Sequence, residues 1–114
     1  MNPAPLTVPR FGVEIVVAVR LGAQVQISFD CTVGHNSVLG DYCTLAPGVH
    51  IAGYVTVGKR VWVGTGATII NGVKGDPLVI GDDAMIGAGA CVTKPVPPGV
   101  TVVGVPARPI RRRS

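Results

Sequence analysis

The chain has 114 residues, enough for one small domain. Charged residues make up only 14% and aromatic residues 4%, whereas there are 16 glycines and 10 prolines. The chain is too apolar to be disordered, and its glycines lack the every-third spacing of collagen. This composition favours many short strands joined by tight turns, so we predict an all-β domain.

The net charge of +4 comes from the C-terminal end. Four of the ten Lys and Arg residues lie at or after Arg108, which leaves six basic and six acidic residues in residues 1–107. Because this body is neutral, we expect no nucleic-acid-binding surface. We predict a single domain over residues 1–107 and a basic tail over residues 108–114, which is either solvated or in contact with a phosphate.

The sequence shows no signal for a metal site, for secretion or for a membrane. Cys31, Cys43 and Cys91 lack the C-x-x-C type of spacing, and their number is odd. The first nine residues lack the basic start and apolar core of a signal peptide, and no apolar run approaches the ~20 residues of a membrane span. We therefore expect a cytoplasmic protein with no bound metal and no membrane contact.

A six-residue period runs through most of the chain. Every sixth residue from Leu21 to Ile69 is a branched aliphatic residue, and the period extends back to Ile15. It resumes at Ile80 after a shift of five residues, which predicts an inserted loop at residues 75–79. The residues four positions after each aliphatic form a second register of small or β-branched side chains: Val25, Cys31, Ser37, Cys43, Val49, Val55, Val61, Ala67 and Val73.

Each hexad predicts a short strand whose aliphatic residue, and the small residue two positions before it, point inward. Three strands make a triangular coil of 18 residues, and coils stack ~4.8 Å apart, as strands do in a sheet. Residues 21–74 give three coils, residues 80–97 a fourth and residues 9–20 part of a fifth. This hexapeptide pattern resembles the left-handed β-helix superfamily, which supplies the expected handedness.

The coil geometry sorts the turns into three columns, one at each corner of the triangle. The first is the His35 corner: His35–Asn36, Gly53–Tyr54 and Asn71–Gly72. The second is the charged corner: Asp41–Tyr42, Lys59–Arg60 and Asp82–Asp83. The third is the small corner: Phe29–Asp30, Pro47–Gly48, Thr65–Gly66 and Ala88–Gly89. We therefore predict that His35 points outward, with Gly53 one coil above it.

The repeat also predicts which face of the coil each outward strand residue lies on. Trp62 and Met85 are expected side by side on one face, and His50 on another face between Thr32 and Thr68. An exposed Trp beside an exposed Met suggests a face covered by another subunit, with a lone surface aromatic as the alternative.

Two segments resemble a narrower family. GHNSVLGDYCTLAPGVHIAGYVTVG (residues 34–58) and IGAGACVTKPVPPGVTVVGVPARPI (residues 86–110) are similar to the sugar acetyltransferases of the sialic-acid and bacillosamine pathways, which use acetyl-CoA. That family carries an acidic residue directly after the histidine, where this chain has Asn36. It also carries an N-terminal subdomain that holds the nucleotide sugar, to which this sequence has no counterpart.

The resemblance implies roles for individual residues. His35 would be the catalytic base, Asn36 would orient it without the charge of a carboxylate, and the Gly53 N–H would meet the thioester carbonyl. Slower turnover is expected from Asn36. The resemblance also implies a homotrimer with sites between subunits, and a set of acetyl-CoA contacts at Thr44, Thr65 and Ala88, with Arg108 meeting the phosphates.

Two functions follow as alternatives. The first is a CoA-dependent acyltransferase, in particular an acetyltransferase, that modifies a hydroxyl or amine of a small acceptor such as a sugar. The second is a non-catalytic trimeric β-helix, either a scaffold or a remnant of a longer acyltransferase, in which His35 is a turn residue. His50 is not expected to bind zinc, since the superfamily's zinc sites use three histidines and this chain has two. Cys31 and Cys43 are expected in the core, and Cys91 has no assigned role.

Overall fold

The computed structural model describes residues 13–15 and 19–110. Its regular structure consists of short strands, and all but the last of them pair in parallel. In that part of the chain there is no helix long and apolar enough to cross a membrane. The strands are β1 (Val13–Ile15), β2 (Arg20–Leu21), β3 (Gln26–Ile27), β4 (Cys31–Val33), β5 (Val38–Leu39), β6 (Thr44–Leu45), β7 (His50–Ile51), β8 (Val55–Val57), β9 (Trp62–Val63), β10 (Thr68–Ile69), β11 (Leu78–Ile80), β12 (Met85–Ile86), β13 (Cys91–Val92), β14 (Thr101–Val103) and β15 (Arg108–Pro109).

The strands form three sheets, one on each side of a triangular solenoid. Face A has the order β15-β14-β12-β9-β6-β3, face B the order β1-β4-β7-β10-β13, and face C the order β11-β8-β5-β2. Before the insertion, neighbouring strands pair in parallel with residues 18 apart, as in Thr32 with His50 and Val38 with Thr56, and the five extra residues raise this offset to 23, as in Val55 with Leu78. The 18-residue coil and the all-β architecture are therefore confirmed. The prediction of four to five coils also holds, since β1 to β3 begin a first coil and β13 and β14 belong to a fifth.

The interior of the solenoid is a stack of aliphatic layers. Strands alternate between an outward residue that is at least partly exposed and an inward residue that is buried, because successive side chains point to opposite sides. Each buried Ile or Leu contributes about 1.5–3 kcal/mol relative to an exposed one. The largest fully buried side chains are Ile27, Leu39, Leu45, Ile51, Ile69, Ile80 and Ile86.

The inserted loop has the predicted length of five residues, but it lies at residues 73–77 rather than 75–79. Leu78 and Ile80 point into the core, and β11 pairs with β8 through Leu78 and Val55. Val73, predicted inward, is 56% exposed, whereas Leu78 is 6% exposed. The side chain of Leu78 takes the inward position, and Val73 joins Asp76 in a tight turn through two backbone hydrogen bonds of 2.9 and 3.1 Å.

The C-terminal end of the described chain closes the solenoid. The last coil is shorter, because Val96 bridges to Ile80 and β14 pairs with β12 at an offset of 16 residues. Strand β15 then turns back and pairs antiparallel with β14. Arg108 thus belongs to a sheet, in contrast to its predicted place in a tail that begins at residue 108. The remainder of that tail, residues 111–114, lies outside the described residues.

The sharp corners are built from residues in the left-handed region of backbone space. One residue at most corners has a positive φ, including Asn36 at 59° and Tyr54 at 57°. Asn and Asp tolerate this conformation better than most residues, and glycine adopts it freely. This conformational demand is a local reason for an asparagine at position 36.

The three cysteines differ in accessibility. Cys31 and Cys43 are buried, as predicted, and Cys91 is half-buried. Burial raises the pKa of the Cys43 thiol to about 12. Burial also raises the pKa of Cys31, whose Sγ lies 3.2 Å from the Ala46 carbonyl oxygen.

We expect a thiol reagent at pH 8 to label the native protein at Cys91 alone. The thiolate is the reactive form, and burial both blocks access to Cys31 and Cys43 and keeps them protonated. Mass spectrometry of the labelled protein measures this directly, with the unfolded protein as a control in which all three cysteines react. Labelling of Cys43 in the native state at the rate of Cys91 would contradict the inward register.

Candidate active site

His35 lies at the corner where faces B and C meet. Both His35 and Asn36 are exposed, so the predicted outward position is confirmed. The corner of the next coil stacks directly on this one, because the Tyr54 N–H donates to the His35 carbonyl oxygen at 3.0 Å. The pair Gly53–Tyr54 is therefore held against the pair His35–Asn36.

The imidazole of His35 occupies the space above Gly53. A Cβ on Gly53 would lie 2.8 Å from both Cε1 and Nε2 of His35, closer than side-chain carbons approach other atoms. Gly53 does not have a positive φ; its neighbour Tyr54 has one. Position 53 therefore requires glycine for the approach of the histidine ring, not for the geometry of the turn.

Asn36 fixes the other edge of the ring. Its Oδ1 lies 3.2 Å from His35 Nδ1. With the amide oxygen facing the ring, Nδ1 donates the hydrogen bond, and Nε2 is then the unprotonated nitrogen of a neutral imidazole. This tautomer presents a proton acceptor on the side of the ring that faces Gly53.

Tyr54 completes the surroundings of the imidazole. Its ring meets the His35 ring edge to face, with centroids 5.1 Å apart and an interplanar angle of 89°. The repeat pattern places Tyr54 at the His35 corner but does not predict this packing. The signal was available, because Tyr54 follows Gly53 at the corner as Asn36 follows His35.

Ser37 anchors the corner from below. It is fully buried in the second register, where its Oγ donates to the Ala52 carbonyl oxygen at 2.8 Å and accepts from the Val55 N–H at 3.2 Å. These two partners flank Gly53 and Tyr54, so one hydroxyl holds both ends of that turn. Among the described residues, the Gly53 N–H itself donates no hydrogen bond.

Replacing Ser37 with alanine is expected to cost about 1–3 kcal/mol of stability, since two buried backbone groups lose their partner. We also expect a lower kcat, because the turn that carries Gly53 loosens. Denaturant unfolding and steady-state kinetics measure the two effects. Cys43→Ala is the matched control: it lies one hexad further in the same buried register, next to the charged corner, and should leave kcat unchanged. Equal kcat values for Ser37→Ala and the wild type would contradict the anchoring role.

The residues expected to contact acetyl-CoA lie elsewhere on the coil. Thr65 and Ala88 are exposed at the small corner, where faces A and B meet, and the Gly89 N–H donates to the Thr65 carbonyl oxygen at 2.8 Å. Thr44 is half-buried on face A, paired with Trp62. Arg108 is exposed on β15, at the end of face A.

The structure brings His35, Asn36 and Gly53 together. It does not bring the other residues expected to contact acetyl-CoA close to them: Thr44, Thr65, Ala88 and Arg108. Within one chain, the width of face B separates the His35 corner from the small corner, because in each coil one face B strand, such as β4, runs from the small corner to the His35 corner. Thr65 and Ala88 do form one column, as the period predicted. A ligand that contacts both corners of one chain would therefore have to cross the whole width of face B.

The remaining outward residues follow the prediction. Trp62 and Met85 pair on face A, and each is about half exposed. His50 lies between Thr32 and Thr68, with its Nδ1 2.8 Å from the Thr32 hydroxyl. Across the described side chains of residues 19–110, no group of three His, Cys, Asp or Glu is arranged to hold a metal ion.

Comparison with known proteins agrees with this architecture. Residues 77–103 match the family described as "Hexapeptide repeat of succinyl-transferase". The structure of WeeI from Acinetobacter baumannii superimposes with a TM-score of 0.80 at 39% identity, over 86% of this chain and 52% of that one. The chain belongs to the hexapeptide-repeat superfamily of left-handed β-helix acyltransferases.

Other hexapeptide-repeat relatives have named activities. Serine acetyltransferase of Mycobacterium tuberculosis is 38% identical over 109 residues, which cover 87% of this chain and 45% of that protein. A mutant perosamine N-acetyltransferase from Caulobacter crescentus, solved with CoA and GDP-perosamine, has 31% identity and a TM-score of 0.66, over 89% of this chain and 54% of that one. This hexapeptide-repeat chain thus spans about half the length of the relatives it matches.

Proposed function

We propose that this chain transfers an acetyl group from acetyl-CoA to a hydroxyl or amine of a small acceptor. The observation that carries the proposal is the arrangement at the His35 corner. One ring nitrogen of His35 is engaged by Asn36, and the other faces a glycine whose N–H has no partner among the described residues. A base and an oxyanion donor at adjacent positions are the two groups that acyl transfer requires.

His35 acts as the general base in this proposal. Its Nε2 accepts the proton of the acceptor hydroxyl or amine as that oxygen or nitrogen forms its bond to the acetyl carbon. The carbon–sulfur bond then breaks, and the proton held by His35 passes to the departing sulfur. A histidine suits both steps, since its ordinary pKa of ~6.5 lies near neutral pH.

Gly53 acts through its backbone. Its N–H donates to no carbonyl of the described residues, so it is available to the oxygen on which negative charge develops. At the charged corner, by contrast, the equivalent Lys59 N–H is taken by Asp82 at 2.8 Å. Among the described residues, no side chain accepts from the Gly53 N–H, which keeps the donor available.

The small corner supplies a surface that fits the acetyl-CoA arm. Gly66 and Gly89 have φ values of 71° and 69°, and a Cβ added to either would meet no atom within 4 Å. The backbone beside Thr65 and Ala88 is therefore open to a long, narrow ligand such as acetyl-CoA. Thr44 and Arg108 are proposed as further contacts, the latter with phosphate.

A homotrimer would unite the two corners. In a symmetric assembly the small corner of one copy can face the His35 corner of its neighbour, which one chain cannot achieve alone. The half-exposed Trp62 and Met85 support such packing. We also propose a cytoplasmic location, with which three free cysteines are compatible.

Calorimetric titration with acetyl-CoA, run on the wild type and on His35→Ala, tests this proposal. We expect both proteins to bind, because His35 serves the proton transfer rather than the affinity. If the wild type fails to bind acetyl-CoA at millimolar concentration, the chain is a β-helix scaffold and His35 is a turn residue.

Replacing Asn36 with aspartate is expected to raise kcat and to move the acidic limb of the pH–rate profile to higher pH. A carboxylate about 3 Å from Nδ1, where the amide oxygen now lies at 3.2 Å, favours the imidazolium. Protonation of the base then begins at higher pH, while the positive charge that develops in the transition state is stabilised. Gln24→Glu adds the same charge at an exposed position away from His35 and serves as the control. An unchanged profile for Asn36→Asp would contradict the orienting contact.

A further inference from the structure

An open groove of about 290 Å³ lies beside the His35 corner, on face C. Asn36 and Tyr54, the two residues in contact with the imidazole, form its near wall. A molecule in this groove would therefore lie next to the proposed base. None of the residues assigned to acetyl-CoA lines this groove, so it is available to the second substrate.

The floor of the groove is a row of outward side chains on face C. Strand pairing places Arg20 next to Val38 and Val38 next to Thr56, each on an adjacent coil. Arg20 is exposed. It is also the one charged side chain among the described residues that line the groove, where no Asp or Glu offsets it.

The far wall comes from the inserted loop. The loop leaves the His35 corner after Gly72 and returns to face C at Leu78, whose N–H donates to the Tyr54 carbonyl oxygen at 3.0 Å. Its turn residues Gly75 and Pro77 line the groove. Without these five extra residues the coil would run straight from the corner into β11, and face C would be open on this side. The insertion thus converts an outward strand face into a concave site.

We infer that this groove is the acceptor subsite and that Arg20 selects acceptors carrying an anionic group, a carboxylate or a phosphate, close to the reacting hydroxyl or amine. This inference rests on the proposed acetyl transfer. An arginine presents several N–H donors that match the oxygens of either anion, and a hydrogen bond to a charged group is among the stronger contacts available. The Thr56 hydroxyl and the Asn36 amide would contact neutral polar groups of the same acceptor.

The test compares matched acceptors that differ in one charge. L-Serine and L-serinamide form one pair, and a nucleoside-diphosphate amino sugar and the methyl glycoside of the same amino sugar form the other. Release of CoA is followed for the wild type, Arg20→Gln, Arg20→Lys and Lys59→Gln. The last variant removes a cation of similar length at the charged corner. Acetyl-CoA affinity, measured by calorimetry, reports separately on the proposed function.

We expect the wild type to prefer the anionic member of at least one pair by about tenfold to a hundredfold in kcat/KM. Arg20→Gln should abolish the preference through a higher acceptor KM, Arg20→Lys should retain part of it, and Lys59→Gln should leave it unchanged. Preference in the first pair identifies a carboxylate, and in the second pair a phosphate.

Other outcomes overturn the inference. Equal kcat/KM values within both pairs, a preference that survives Arg20→Gln, or no turnover of any of the four acceptors by a protein that binds acetyl-CoA would each do so. Failure to bind acetyl-CoA at all would instead overturn the proposed function.

Discussion

Replacing His35 with alanine is expected to lower kcat for acetyl transfer by about a hundredfold to ten-thousandfold, the usual contribution of a positioned general base. The side chain is exposed and contributes nothing to the aliphatic core, so the melting temperature should stay within a few degrees of the wild type. Acetyl-CoA release assays and thermal unfolding measure the two quantities on the same preparations.

The control for this variant is His50→Ala. His50 is the second histidine of the chain, is also exposed, and lies on a strand of face B rather than at the His35 corner. We expect full activity from it. A loss of activity in His50→Ala equal to that in His35→Ala, or no loss in either, would remove the catalytic assignment of His35.

Replacing Gly53 with alanine is expected to lower kcat by about a hundredfold with little loss of stability. The new methyl group would lie 2.8 Å from Cε1 and Nε2 of His35, so the ring must move. Because the ring is the end of an exposed side chain, it can swing aside at small cost to the fold. The base then leaves its position, and a displacement of about 1 Å at a reacting group can cost a hundredfold in rate.

Gly40→Ala gives the opposite pattern and serves as the control. A Cβ at position 40 would meet the Gly58 carbonyl carbon at 2.6 Å, a backbone atom that cannot step aside. We expect a lower melting temperature and an unchanged kcat for the folded fraction. If Gly53→Ala behaves in the same way as Gly40→Ala, the glycine serves coil stacking and not the approach of His35.

The solenoid could be predicted from the sequence because the aliphatic residues that fill its core recur at regular intervals. Residues such as Ile27, Leu45 and Ile51 recur every six or 18 positions, and each must be aliphatic to fill the same interior layer. A single register therefore fixes the strands, the faces and the corners together. The outward positions of His35, Trp62 and His50 follow from that register without further information.

The bounds of the insertion could not be predicted in the same way, because two residues fitted the pattern of an inward position. Val73 and Leu78 are both apolar and both fit an inward position, and periodicity alone cannot rank them. The structure buries Leu78 and exposes Val73, since Gly75 allows residues 73–76 to close as a tight turn. Packing against β8 decides this, and packing is a property of the assembled coils.

The candidate active site could likewise be predicted only in part. The stacking of His35 and Gly53 was predictable from their separation of 18 residues. The edge-to-face contact of Tyr54, the hydrogen bonds of Ser37 and the reason for glycine at position 53 depend on side-chain rotamers, which a repeat pattern does not specify. The separation of Thr65 and Ala88 from His35 also follows from the repeat, because the two columns lie at opposite edges of face B.

A crystal structure of the complex with acetyl-CoA would show directly where the thioester binds. We expect the thioester carbonyl oxygen within hydrogen-bond distance of the Gly53 N–H, about 2.7–3.2 Å between heavy atoms, with His35 Nε2 on the side from which the acceptor approaches. A thioester bound at the charged corner, or on a face remote from Gly53, would contradict the proposed site.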